Sequence, residues 1–124
     1  MKKLLAIGLV LLIHRASAQN INIRTNHISL LYGVNKNGRL VQQYLGQPIQ
    51  PAGADTSARQ NQEAYVTAGM ESLLDPAIRM VHNDGNPSLE LKYVSHTSTQ
   101  PSNDITTTAI TLKDPVYPVT VTLH

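Results

Sequence analysis

The chain has 124 residues with no cysteine, tryptophan or phenylalanine, and ten basic residues stand against eight acidic ones. Without cysteine, disulfide scaffolds, thiol chemistry and cysteine-zinc sites are excluded, so stability has to come from a packed core. Lys2, Lys3 and Arg15 lie in the first eighteen residues, and no basic stripe interleaves with aromatics, so a nucleic-acid partner is not expected.

Residues 1–18 have the three-part form of a secretory signal: Lys2 and Lys3, an apolar run over 4–13, then Ala16-Ser17-Ala18 before Gln19. Small residues at the first and third places of that triplet suit signal peptidase, which predicts cleavage after Ala18 and export to the periplasm or the medium. The apolar run is too short for a bilayer core of about 30 Å, which takes roughly 20 helical residues. No membrane association is expected after cleavage. The remaining segment, 19–124, carries seven basic and eight acidic residues and reads as one partial domain.

Strand signals dominate that segment. Ile21 and Ile23 alternate with Asn20, Asn22 and Arg24, the period of a half-buried strand. Residues 28–34 and 40–45 flank Asn35-Lys36-Asn37-Gly38-Arg39, and an Asn-Gly pair between apolar runs predicts a hairpin. Residues 47–59 are rich in Pro, Gly, Ala, Ser and Gln and read as a long loop, followed by an irregular stretch through Leu74. A short strand is expected over 78–81. His82-Asn83-Asp84-Gly85-Asn86-Pro87 is a dense turn cluster, after which Leu89, Leu91 and Tyr93 alternate with Glu90, Lys92 and Val94, predicting a second hairpin.

A polar loop is expected over 97–104, then a strand over 105–112 rich in threonine and isoleucine. A turn at Lys113-Asp114-Pro115 leads to Val119, Val121 and Leu123, again alternating. Short strands separated by turn signals, without an amphipathic helical stretch, predict an all-β fold, an antiparallel β-sandwich. The pattern is still running at His124, which reads as truncation within a larger domain.

The acids are scattered. Glycoside hydrolysis usually takes two carboxyl groups facing one scissile bond, about 5 Å apart in retaining enzymes. Only Glu71 and Asp75 are closely spaced, and no catalytic residue is expected within the chain. Asp84 and Asp114 read as turn formers, Gly38 and Gly85 as turn requirements, and Arg79 as a structural residue with Asp75 as its candidate partner. His27, His82, His96 and His124 lack the close spacing of a zinc motif, and no metal or cofactor is expected. Tyr32, Tyr44, Tyr65, Tyr93 and Tyr117 read as core or rim residues, since a sugar platform more often uses tryptophan or phenylalanine. A non-catalytic, secreted carbohydrate-binding or interaction domain is the alternative reading.

Four pieces in order carry a resemblance to a known family. They are Asn35-Lys36-Asn37-Gly38-Arg39-Leu40 leading to Gln43-Tyr44-Leu45-Gly46, then Asp75-Pro76-Ala77-Ile78-Arg79, then the two long stretches 75–96 and 110–124. Together they resemble the amino-terminal domain of family 36 glycoside hydrolases, the α-galactosidases. The resemblance implies the early part of a large β-sandwich preceding a catalytic (β/α)₈ barrel that this chain does not include. It further implies an enzyme acting on terminal α-galactosides of the melibiose and raffinose type by the retaining route, with both catalytic aspartates on the barrel. It also implies homo-oligomers at full length, and a loop acid, best matched here by Glu71, that binds galactose hydroxyls.

Overall fold

The computed structural model describes residues 20–50, 63–65 and 75–124. Among them every regular element is a strand, and no helix is long and apolar enough to cross a membrane.

Asn20–Arg24 (β1), Ser29–Val34 (β2) and Leu40–Gly46 (β3) form an antiparallel sheet in the order β1-β2-β3. The alternation in β1 fixes its register, since Ile21 sits opposite Tyr32 and Ile23 opposite Leu30, and all four share one face. Between Leu31 and Tyr32 the register slips, so that Leu31 faces Tyr44 while Tyr32 faces Gln42. Gln43 is therefore the extra residue of a β-bulge. At the β2–β3 turn Gly38 has φ 79° and donates its N–H to Asn35 O at 2.9 Å. The Asn35 side chain braces the same turn, Oδ1 accepting the N–H of Asn37 at 2.9 Å and of Arg39 at 3.0 Å.

Lys92–Ser102 (β4), Ile105–Lys113 (β5) and Thr120–Leu123 (β6) make a second antiparallel sheet in the order β4-β5-β6. Two sequence expectations change here. The polar loop expected over 97–104 is instead the outer half of a long β4–β5 hairpin, with Thr97 opposite Ala109, Ser98 opposite Thr108 and Thr99 opposite Thr107. Threonine and serine favour extended backbone without needing burial, and this half of β4 is largely exposed, so it has no apolar alternation to read.

The strand expected over 78–81 does not form, and the one after the turn cluster begins only at Lys92. In the segment leading to it, side chains take backbone donors that a ladder would otherwise satisfy. Ser88 N–H goes to Asn86 Oδ1 at 2.9 Å, and Glu90 N–H to Asp114 Oδ2 at 2.9 Å. Leu89 and Leu91 are buried all the same, by an extended segment outside any sheet.

The core lies between the sheets, where Ile21 and Leu40 of the first meet Ile110 and Leu112 of the second, with Leu89 and Leu91 closing one side. A direct backbone bond, Tyr93 N–H to Gly38 O at 2.8 Å, ties the two layers at that end. Residues 63–65 lie against the first sheet through a Val41–Glu63 bridge and an Ala64 N–H to Leu40 O bond of 3.0 Å. Tyr65 packs on the core, and its hydroxyl is buried without a hydrogen-bond partner among the described residues. Burial, with Glu63 adding to it, pushes that phenol up to about 12. Tyr65→Phe is therefore expected to hold or raise the urea midpoint, by up to about 1 kcal/mol, because an unsatisfied buried hydroxyl contributes only its desolvation cost.

Gly38 and Gly85 both have positive φ, 79° and 82°. An added Cβ at Gly85 would meet nothing within 4 Å, so Gly85→Ala isolates the backbone term. A loss of about 1–2 kcal/mol in thermal or urea unfolding is the expected result, from the left-handed conformation alone.

Candidate functional site

The most elaborate polar arrangement of the described residues lies where the turn cluster after His82 meets the loop between β5 and β6. It borders a cleft of about 340 Å³ lined by Arg39, Asn86, Ser88, Glu90, Asp114 and Tyr117, among others. Arg39 arrives there because it directly follows the Gly38 turn. Its guanidinium meets Glu63 Oε1 at 2.9 Å and Glu90 Oε1 at 3.4 Å, and Lys92 Nζ stands 3.7 Å from the same Glu90 oxygen. One arginine thus joins the first sheet, residues 63–65 and the segment entering β4. Arg39 was not a sequence candidate. Its place immediately after an Asn-Gly turn was the available signal, and both of its acidic partners are remote in sequence.

Asp114 is only 3% exposed. Its Oδ1 accepts the N–H groups of Val116 and Tyr117, each at 2.8 Å, and its Oδ2 accepts Glu90 N–H. Burial pushes the carboxyl upward, but the three backbone donors, with help from the nearby His82 ring, outweigh it and leave the group below the usual aspartate range. Asp84 is likewise depressed, by the Asn86 N–H at 3.0 Å and then by the Tyr117 O–H at 2.8 Å. Tyr117 is raised in turn, first because its hydroxyl proton is held by Asp84.

The rings complete the arrangement. His82 stacks on Tyr117 with centroids 3.4 Å apart and planes 6° apart. Its Nε2 lies 2.8 Å from Ser88 O, and since a carbonyl can only accept, Nε2 carries the proton and donates. Asn86 Nδ2 donates to the Tyr117 hydroxyl at 2.9 Å. On the long hairpin, Tyr93 Oη and His96 Nδ1 are 2.8 Å apart.

The chemistry of this constellation is that of a clasp. Asp84 and Asp114 each brace their own turn, as expected of turn formers, and each takes one remote donor besides, while Glu63 and Glu90 hold a guanidinium. Among the described residues no group of three or more metal-ligating side chains is assembled. Asp75 and Arg79 are both exposed and form no ion pair with each other, which corrects the expected partnership. Short flanks around proline and alanine give the two side chains no element to share. Glu71, like residues 1–18, expected to be a secretory signal, and most of the expected long loop, lies outside the described residues.

Two antiparallel three-stranded sheets closed over one core, with side-chain-braced loops at one end, define a β-sandwich domain. The model of the glycosyl hydrolase family 36 N-terminal domain matches residues 22–124, and the chain belongs to that family. Among solved structures the fold is similar to that of the alpha-galactosidase from Lactobacillus brevis, with a TM-score of 0.71 at 17% sequence identity. That likeness covers 85% of this chain and 19% of the bacterial enzyme's chain. No curated protein sequence matches this one.

Proposed function

We propose that this domain is the amino-terminal β-sandwich portion of an exported α-galactosidase that hydrolyses terminal α-galactosides of the melibiose and raffinose type. The observation that carries the reading is the family match across 22–124, joined to a fold shared with an alpha-galactosidase. The clasp of Arg39, Asp114 and Tyr117 supports a scaffold role here, since its carboxylates are engaged by the fold. Hydrolysis then belongs to a retaining pair of aspartates outside this chain, and the sandwich packs against the barrel that carries them, shapes the rim of its pocket and takes part in subunit contacts. Glu71 is the side chain in this domain assigned to galactose hydroxyls, because an ionised carboxylate accepts strong hydrogen bonds from two of them. Cleavage after Ala18 sends the product to the periplasm or the medium.

The test joins this domain to the reading frame that follows it and assays the product on melibiose. Release of galactose in the α-configuration, followed by proton NMR, is expected, with none from residues 19–124 alone. Melibiose binding by 19–124 alone, with no hydrolysis by the longer product, would turn the reading toward a carbohydrate-binding domain.

A further inference from the structure

We propose that Asn37 is a site of spontaneous covalent modification, and that its conversion to an isoaspartyl linkage loosens the tie between the two sheets. Asn37-Gly38 is the only Asn-Gly pair in the chain. Asn37 is exposed, and although its N–H is held by Asn35 Oδ1, its carboxamide has no partner among the described residues. Its side chain is free to swing toward the next peptide nitrogen. Gly38 offers no Cβ to obstruct the approach. An added Cβ there would meet the Lys92 side chain at 3.7 Å, an ordinary van der Waals contact, so glycine leaves that approach clear.

The Gly38 N–H is engaged by Asn35 O in the folded turn, so attack waits for the turn to open. Those bonds are local and lie at an exposed hairpin tip, where opening costs far less than unfolding. The Gly38 nitrogen then attacks Asn37 Cγ, forming the Cγ–N bond as the Cγ–Nδ2 bond breaks. The nitrogen's proton leaves with the amide as ammonia, and a succinimide remains. Water opens that ring at either carbonyl, giving aspartate or an isoaspartyl link. No oxidant or enzyme is needed.

Asp84-Gly85 provides the internal contrast. It sits in a turn of similar shape, with Gly85 at φ 82°, but both oxygens of Asp84 are held, one by Asn86 N–H and the other by Tyr117 O–H. The same dipeptide logic is blocked there by the clasp. At Asn37 the consequences spread, because an isoaspartyl link adds a backbone atom just before Gly38. The Gly38 carbonyl accepts the Tyr93 N–H across the sheets, and the next residue is Arg39, the cation shared by Glu63 and Glu90. A charge is also added where the neutral amide stood.

The experiment ages the expressed chain at mildly alkaline pH and digests it with chymotrypsin, which cuts after Tyr32 and Leu40. The 33–40 peptide should gain the amide-to-acid mass difference before any other asparagine-containing peptide, and should accept label from an isoaspartyl methyltransferase. Hydrogen exchange at the Tyr93 amide should become faster in the aged protein, and Asn37→Gln should abolish both changes. A 33–40 peptide that keeps its mass while others change overturns the proposal. Modification there with unchanged protection at Tyr93 overturns the link to the sheet contact.

Discussion

Replacing Asp114 with alanine is expected to destabilise the domain by about 3 kcal/mol or more, because the carboxylate serves three backbone N–H groups at once and the site is buried. Two of those donors, on Val116 and Tyr117, shape the β5–β6 loop, and the third, on Glu90, holds the extended segment whose neighbours Leu89 and Leu91 are core residues. Alanine leaves all three unpaired. Asparagine should cost less, since its carbonyl can keep Val116 and Tyr117, but its amide would then set a donor against Glu90 N–H. Urea unfolding of wild type, Asp114→Asn and Asp114→Ala should give midpoints in that descending order. Equal midpoints for all three would show that water replaces the carboxylate freely.

The same carboxylate sets a pH dependence. Asp84 and Asp114 are both held below the ordinary aspartate value, so the folded state binds their protons less readily than the unfolded chain does. Their stabilisation is complete above about pH 4, the unfolded aspartate range, and is lost as pH falls through the lower folded values. The acid side of the stability profile should therefore be flatter in Asp114→Asn than in wild type.

The parts of this fold legible in the sequence were those where apolar alternation and turn chemistry agreed. The β2–β3 hairpin announced itself through Asn37-Gly38, and β1 and β6 through Ile21 and Ile23, and Val121 and Leu123. Legibility failed where a strand carried no core face, as in the outer half of β4, and where apolar residues were buried without a strand, as at Leu89 and Leu91. In the second case a remote side chain, Asp114, supplied the hydrogen bond that a ladder usually provides, and no local pattern records that. Arg39 was missed for the same reason, for its value lies in Glu63 and Glu90, far along the chain. Asp84 and Asp114 were legible as turn formers because each sits beside the residues whose backbone it braces. The family was legible in the order of several short pieces, whereas chemistry read from residue types alone gave no enzyme.

On the proposed reading, Glu71→Gln in the longer protein is expected to lower kcat/KM on melibiose by about 10- to 100-fold, the equivalent of about 1.5–3 kcal/mol for a hydrogen bond to a charged group. A carboxylate accepts from two sugar hydroxyls at once, while the carboxamide has one accepting oxygen and presents two donors to a hydroxyl that had been donating. Inhibition by free galactose should weaken in parallel, because the proposed contact is to the ligand itself. The urea midpoint should stay unchanged if Glu71 serves the sugar and not the fold. Unchanged turnover together with unchanged galactose inhibition would sink the assignment. A fall in stability with intact inhibition would place Glu71 among the braces of the sandwich, beside Asp84 and Asp114.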